Sequence, residues 1–535
     1  MSRLLGSLSL STVLAAVLLA SPASSAQDVA GLDRGDEVNA LLGLTDSVVF
    51  TLDINTEPGV PLVAAIPLEG QWRLLNLFPH SVRGRRYQVL AQVGEGELVP
   101  VTPSPERTLR GELLDDPQIM AAGSTSDEGL YARIILPDGS NYWIEPLFGR
   151  IQGAPHGSHV IYRGEDTSCS GICGTSDDHR LGGDLDLVEH GSGGDGALKV
   201  AEVACDADVE YFTRWGSVAN VESRINSIFN SMNIQYERDV NITHVITTII
   251  VRTVEPDPYS TTNSGALLDQ FRNHWNANHG AIQRDVAHLF TGKNLNGSVI
   301  GIAYVGVICN TPWAYGLVES LNNFACATDL SAHELGHNWN ADHCVCETYT
   351  MHAGLQCANR FHPTFDIPVI TQFRDSRGCL SDPEPEDLDC PLKSFNITKG
   401  TLNSGNLAAL DNSDDNYMII DPLQGNNYAV NMVVKLTSPI NNVSQLDLTL
   451  ETSAINPNVR TKIYVRNVNT NAWVLLDSFI QPQTDTVKTY LSIPNPNNYI
   501  KATNREIQIR IQMTRKLTAG TFITLIDNVQ ATVRD

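Results

Sequence analysis

His333, Glu334 and His337 are the residues of this chain best placed to do chemistry. On a helix, residues four apart lie one above the other on a single face, so His333 and His337 can present two imidazoles to one metal ion. Zinc accepts such nitrogens at roughly 2.0–2.1 Å. Glu334 sits beside them, able to take a proton from a zinc-bound water without being a ligand itself. A third histidine, His343, comes six residues after His337, off that helical face. It reaches the same ion only if the chain leaves the helix and turns back. Three histidines leave a fourth position open, the arrangement of a catalytic rather than a structural zinc. The chemistry implied is hydrolysis by a metal-activated water.

A methionine follows soon after, Met351 in Tyr349-Thr350-Met351-His352. Zinc helix, third histidine and methionine together resemble the metzincin pattern, in which Met351 is the residue of the Met-turn; the plainer reading of Met351 is a core gap filler. Metzincins usually carry glycine three residues before the last histidine, whereas this chain has Asn340. That turn needs a left-handed backbone, which asparagine tolerates best after glycine. The expected cost is about 1 kcal/mol or less.

These residues must be held by a long chain. Its 535 residues exceed one core and suggest about three domains. Residues 1–26 read as a secretory signal peptide: Arg3, an apolar stretch at 13–20, and Ala23-Ser24-Ser25-Ala26 as a small-residue cleavage site. No apolar run is long enough to span a membrane, so a secreted, extracellular protein without a transmembrane segment is expected. Ten cysteines in an exported chain favour disulfides, and the eight from Cys205 onward could form four. The formal net charge of -24 argues against nucleic acid or anionic membrane surfaces as partners.

The texture of the sequence changes twice. Residues 27–197 are expected to be a propeptide domain, mostly β, with short alternating apolar runs at 47–52, 87–93, 131–136 and 141–146. It ends in the Gly-rich acidic stretch 182–196, a natural site for proteolytic nicking. Residues 198–382 read as α/β: strands at 199–211, 243–252 and 299–307, and a helix with Val218, Val221, Ile225, Ile228 and Met232 on one face. A second helix follows with Leu267, Leu268, Phe271 and Trp275, and the zinc helix is expected from about Leu330. Residues 391–535 lose helical periodicity and read as an antiparallel β-sandwich.

Residues 198–382 resemble the adamalysin (reprolysin) branch of the metzincins. The resemblance is carried by residues 285–292, by Gly301-Ile302-Ala303-Tyr304 leading to Cys309, by the zinc motif with Cys344-Val345-Cys346, and by Ile370-Thr371-Gln372-Phe373 leading to Cys379. It implies a zinc metallopeptidase cleaving proteins or peptides, with zinc on His333, His337 and His343, Glu334 as general base, and Cys309 paired with Cys379. Relatives are made as latent precursors in which a propeptide cysteine occupies the zinc, and Ile172-Cys173-Gly174-Thr175 looks like that switch. A Cys169–Cys173 disulfide is the competing reading. Some metzincins have a tyrosine two residues after the methionine to assist the oxyanion; Ala353 stands there, so no helper is assigned.

Other candidates are plainer. The turn at residues 411–415, with Asp411, Asp414 and Asp415, has the residue types for calcium but serves equally as a solvated loop. Arg83-Gly84-Arg85-Arg86 resembles a processing signal yet sits amid strands. His288 and His352 are expected in packing or surface roles. The rival from another class is a secreted binding or adhesion protein on an inactive peptidase scaffold. Against it, Glu334 and all three histidines are present. Contact of residues 391–535 with a glycan, a cell surface or an assembly partner would leave the same trace in the sequence.

Overall fold

The computed structural model describes residues 35–180, 196–383, 388–411, 413 and 416–534. The leader expected at 1–26, nearly all of the stretch 182–196, and three of the five residues at 411–415 lie outside the described residues. The chain divides into two compact units, residues 1–383 and 384–535.

The first unit holds two eight-stranded sheets. One is antiparallel throughout and runs from Val48–Thr51 through Ser158–Arg163, Asn141–Pro146, Gly129–Ile135, Asp116–Ser126, Thr108–Leu113 and Gln71–Pro79 to Leu62–Leu68. Its last strand shows the alternation that makes a half-buried strand, with Leu62, Ala64, Ile66 and Leu68 inward.

The second sheet is ordered Ile172–Cys173, Val299–Ala303, Tyr315–Glu319, Val286–Thr291, Lys199–Ala207, Ile242–Arg252, Arg83–Gln92, Leu98–Val101. It is mixed: Val299–Ala303 is antiparallel to Tyr315–Glu319, while the strands from there to Arg83–Gln92 pair in parallel. Central members such as Val286–Thr291 are buried at every position, as a parallel sheet covered on both faces requires. The long helix Val218–Val240 packs on Ile242–Arg252, on Asp116–Ser126 of the first sheet, and on the helix Phe324–Asn338. It therefore joins both sheets to the element that carries the histidines.

Several expectations need correction. The strand expected over 87–93 belongs to the second sheet, not to a separate β domain: Arg83–Gln92 lies parallel to Ile242–Arg252, with Gln88 opposite Thr248 and Gln92 opposite Arg252. Residues on both sides of the expected boundary at 197/198 thus share one sheet and one apolar core. The strand expected over 199–211 stops at Ala207, because the Asp208 carboxylate accepts from Tyr211 N at 2.8 Å and caps the helix Val209–Trp215. The histidine helix starts at Phe324, a turn and a half before Leu330, where Asn323 caps it through Cys326 N.

The cysteines also pair differently from four bridges among the last eight. Cys309 is bonded to Cys379 and Cys344 to Cys346. Cys326 lies within bonding reach of both Cys169 and Cys357, which are alternatives because one sulfur makes one disulfide. Cys205 and Cys390 are buried thiols.

The second unit consists of two six-stranded sheets, antiparallel throughout, around one apolar core. The runs expected at 430–436 and 507–511 fall in Tyr428–Thr437 and Glu506–Arg515, which pair along their whole length. Among the described residues no helix is long and apolar enough to cross a membrane.

Candidate active site

The helix Phe324–Asn338 is buried at every residue, so its side chains are fixed by packing before any ligand arrives. His333 and His337 project from one face, and their Nε2 atoms lie 3.1 Å apart. After Trp339 the chain breaks at Asn340, whose φ of 75° is the left-handed conformation that the turn demanded. Ala341 N then donates to Gly336 O at 2.9 Å, and the chain doubles back to bring in His343. His343 Nε2 is 3.2 Å from each of the other two. Tetrahedral zinc ligands at 2.0–2.1 Å are separated by about 3.3 Å, so the triangle has the size of a zinc ligand set.

Backbone carbonyls hold the ring orientation. His333 Nδ1 is 2.6 Å from Thr350 O, and His337 Nδ1 is 2.8 Å from Ala341 O. Donation from Nδ1 leaves the Nε2 lone pairs turned toward one another, which is the tautomer a metal needs. Burial lowers the pKa of all three imidazoles, His333 to about 3, so they are neutral. Three converging lone pairs without protons are unfavourable unless a cation lies among them.

Glu334 is fully buried, and burial raises its pKa far above the usual carboxylate range. Its Oε1 has no hydrogen-bond partner in the protein. A Cβ on Gly301 would lie 2.4 Å from that atom, so the strand Val299–Ala303 passes directly against the carboxylate. An orphaned carboxylate oxygen beside three converging nitrogens fits a metal-bound water as its missing partner.

Met351 is fully buried and packs on the histidine helix at Gly336. Cys173 enters from the N-terminal side, with its Sγ 3.5 Å from His337 Nε2 and 3.6 Å from Glu334 Oε2. Cys173 Sγ and one nitrogen from each histidine all lie within 4.8 Å of one another. Burial first, and the Glu334 carboxylate second, push the thiol pKa well up. Cys173 makes no disulfide, because Cys169 faces Cys326 instead. Its neighbours hold it from two sides: Gly174 N donates to Gly301 O at 2.8 Å, and Cys173 N donates to Ala353 O at 2.9 Å.

Three contributors escaped the sequence reading. Asp329, fully buried, accepts from Thr350 Oγ1, Ala358 N and Asn359 N at 2.7, 2.8 and 3.0 Å. Arg180 donates to Asn340 Oδ1 at 2.9 Å and pairs with Asp342. Glu145 Oε1 accepts from Phe324 N at 2.9 Å. Only Asp329 had a local signal, standing one helical turn before His333. His352 Nδ1 contacts Gly354 O at 2.8 Å, and His288 is a core residue.

Residues 197–364 match the reprolysin model of metallo-peptidase family M12. That segment runs from the strand Lys199–Ala207 through all three histidines and Met351. Over that stretch the chain resembles the reprolysin-type metallo-peptidases.

Proposed function

We propose that this chain is a zinc-dependent endopeptidase that cleaves peptide bonds in proteins, made as a latent precursor and exported. The observation that carries the reading is the triangle of Nε2 atoms 3.1–3.2 Å apart with the unpartnered Glu334 Oε1 beside it. His333, His337 and His343 would hold the ion. Zinc supplies a Lewis acid that polarises the scissile carbonyl and lowers the pKa of a bound water toward neutrality.

The protein does the rest. Glu334 accepts the proton of the attacking water at Oε1 and passes it to the leaving amine. Its unpartnered Oε1 beside the histidine triangle is placed to take that proton. Val299–Ala303 offers backbone groups to an extended chain on the side where Ile172–Cys173 now pairs, so a substrate is held mainly by main-chain hydrogen bonds. Main-chain recognition favours many sequences over one.

Latency follows from the Cys173 thiol standing where the water must be. Cys173→Ala should make the uncut precursor active; a silent variant argues against the switch. Export is supported by the character of residues 1–26 and by the Cys309–Cys379 disulfide, which needs an oxidising compartment.

The deciding experiment is casein hydrolysis after cleavage in 182–196, comparing wild type with Glu334→Ala and with a zinc chelator. Loss of cleavage in both controls is expected. A folded, zinc-loaded wild type that leaves casein and a mixed peptide library intact would rule the reading out.

A further inference from the structure

We propose that the N-terminal half, residues 35–165, is a permanent component of the mature peptidase. It stays seated after the chain is cut in 182–196, and only the short stretch around Cys173 has to leave. The inference rests on the latency reading above for the position of the cut, and on the fold for what happens next.

The two halves are joined as the interior of one domain is joined, not as a cover on a surface. Arg83–Gln92 is hydrogen-bonded in parallel along Ile242–Arg252, and Leu98–Val101 pairs with it to form the outer edge of the same sheet. Val38, Leu42, Tyr131, Trp143, Val160 and Tyr162 lie in the same apolar core as the histidine helix. Phe324, the first residue of that helix, is wedged between Tyr131 and Trp143 at ring-centroid distances of 5.3 and 5.5 Å.

Buried polar groups make the joint hard to open. Arg133 is fully buried and donates to Ser231 O at 2.8 Å and Asn359 O at 2.5 Å. Gln92 accepts from Arg252 Nη1 at 3.1 Å and donates to Val254 O and Pro256 O. Asn230 Nδ2, on the other half, reaches Leu109 O and Gly123 O at 3.0 and 2.8 Å. Separation would break each of these bonds and expose the apolar core around them, although Arg133 keeps Asn141 and Arg252 keeps Asp206 as partners.

Glu145 gives the retained half a role in the site. Its carboxylate is fully buried, paired with Arg150 at 2.5 Å, and accepts from Tyr162 OH at 2.7 Å and from Phe324 N at 2.9 Å. A carboxylate at a helix N-terminus satisfies a free N–H and complements the helix dipole. Glu145 is thus a positioning residue for the helix that carries His333 and His337.

The stretch around Cys173 is built otherwise. Its strand is two residues long, and Ile172 is 45% exposed. It is an edge pairing to Val299–Ala303, so it can leave while the pairing of Arg83–Gln92 to Ile242–Arg252 stays in place.

The test uses the full chain with a recognition site for a specific protease inserted between Gly193 and Gly194, and with Cys169→Ser to remove any disulfide to Cys326. After complete cutting, gel filtration in native buffer should return both fragments in one peak that resolves into two in urea. Fragments that separate in native buffer overturn the proposal. In case Cys169→Ser impairs folding, amide exchange on the cut chain with Cys169 intact reads the same question. Protection at Val89 and Ile249 should stay within twofold of the uncut chain, and exchange at unfolded-peptide rates there overturns the proposal. A co-eluting complex that fails to cleave casein counts against the peptidase reading alone.

Discussion

Gly336 and Met351 fit together so closely that a Cβ on Gly336 would lie 2.5 Å from Met351 Sδ. Gly336 falls between His333 and His337 on a helix, where glycine costs about 1 kcal/mol relative to alanine. The helix accepts that cost because only a bare Cα admits the methionine. Gly336→Ala should therefore destabilise the protein by roughly 1–3 kcal/mol despite the better helix former. Met351→Leu, similar in volume, should cost less than about 1.5 kcal/mol. Urea denaturation of both variants checks this, and a Gly336→Ala protein as stable as wild type would mean that Met351 is free to move.

Asn340 holds φ at 75° and accepts from Arg180 at 2.9 Å. Asn340→Gly relieves the backbone and removes one partner of Arg180, which keeps Asp342, so zinc content should be unchanged. Asn340→Val forces a β-branched residue into the left-handed region at a cost of about 1–2 kcal/mol or more. The strain falls on the turn that returns His343, so this variant should lose zinc first. Metal analysis after dialysis against a weak chelator separates the two.

Legibility in the sequence followed the range of the interactions. The spacing His333–His337–His343 and the turn at Asn340 are local, and a few adjacent residues specify them. The strands Ile242–Arg252 and Asn141–Pro146 were visible because β-branched or alternating runs mark a pleated surface. The destination of Arg83–Gln92 was not visible. Alternation says which face of a strand is buried, not which sheet it joins, and its partner Ile242–Arg252 lies far along the chain. Glu145 was hidden for the same reason, since nothing near it in sequence hints that Phe324 N will be its donor. The caps Asp208 and Asn323 were legible in principle. Both residue types favour the N-cap, but an apolar stretch beside one and the zinc motif beyond the other drew the boundaries elsewhere.

Asp208 should leave a mark on the pH dependence of stability. Burial raises its pKa from 3.8 to about 7, while Thr291 Oγ1, Gly292 N and Tyr211 N bond to its oxygens. A carboxyl whose pKa is raised in the folded state binds its proton more tightly there than when unfolded. Its contribution is fully present below pH 3.8 and is lost as pH rises through about 7. Asp208→Asn keeps an acceptor for the two N–H groups and offers an amide to Thr291. The difference in unfolding free energy between variant and wild type should therefore shift in favour of the asparagine variant steadily from about pH 4 to about pH 7. A difference that stays constant over that interval would show that Asp208 is ionised in the fold throughout.

Asp329 is linked to His333 through Thr350. Its Oδ1 accepts from Thr350 Oγ1 at 2.7 Å and from Asn359 N at 3.0 Å, while Oδ2 accepts from Ala358 N at 2.8 Å. The carbonyl of Thr350 in turn faces His333 Nδ1 at 2.6 Å. One carboxylate thus ties the helix to the turn that fixes the ring of His333. Gln235 Nε2 also reaches Thr350 Oγ1 at 2.9 Å, so the threonine is pinned from both sides. Asp329→Ala removes three accepted bonds and leaves buried donors, at about 1–3 kcal/mol per stranded group. Asp329→Asn keeps the shape and part of the accepting capacity, so it should fold. In that variant Thr350 loosens, and zinc affinity should fall by roughly 10–100-fold, as for outer partners of metal-bound histidines elsewhere. Competition with a chromophoric chelator measures this at constant pH. An Asp329→Asn protein of lower stability but unaltered zinc affinity would assign the residue to the fold alone, and His333 would then be oriented by the Thr350 backbone without its help.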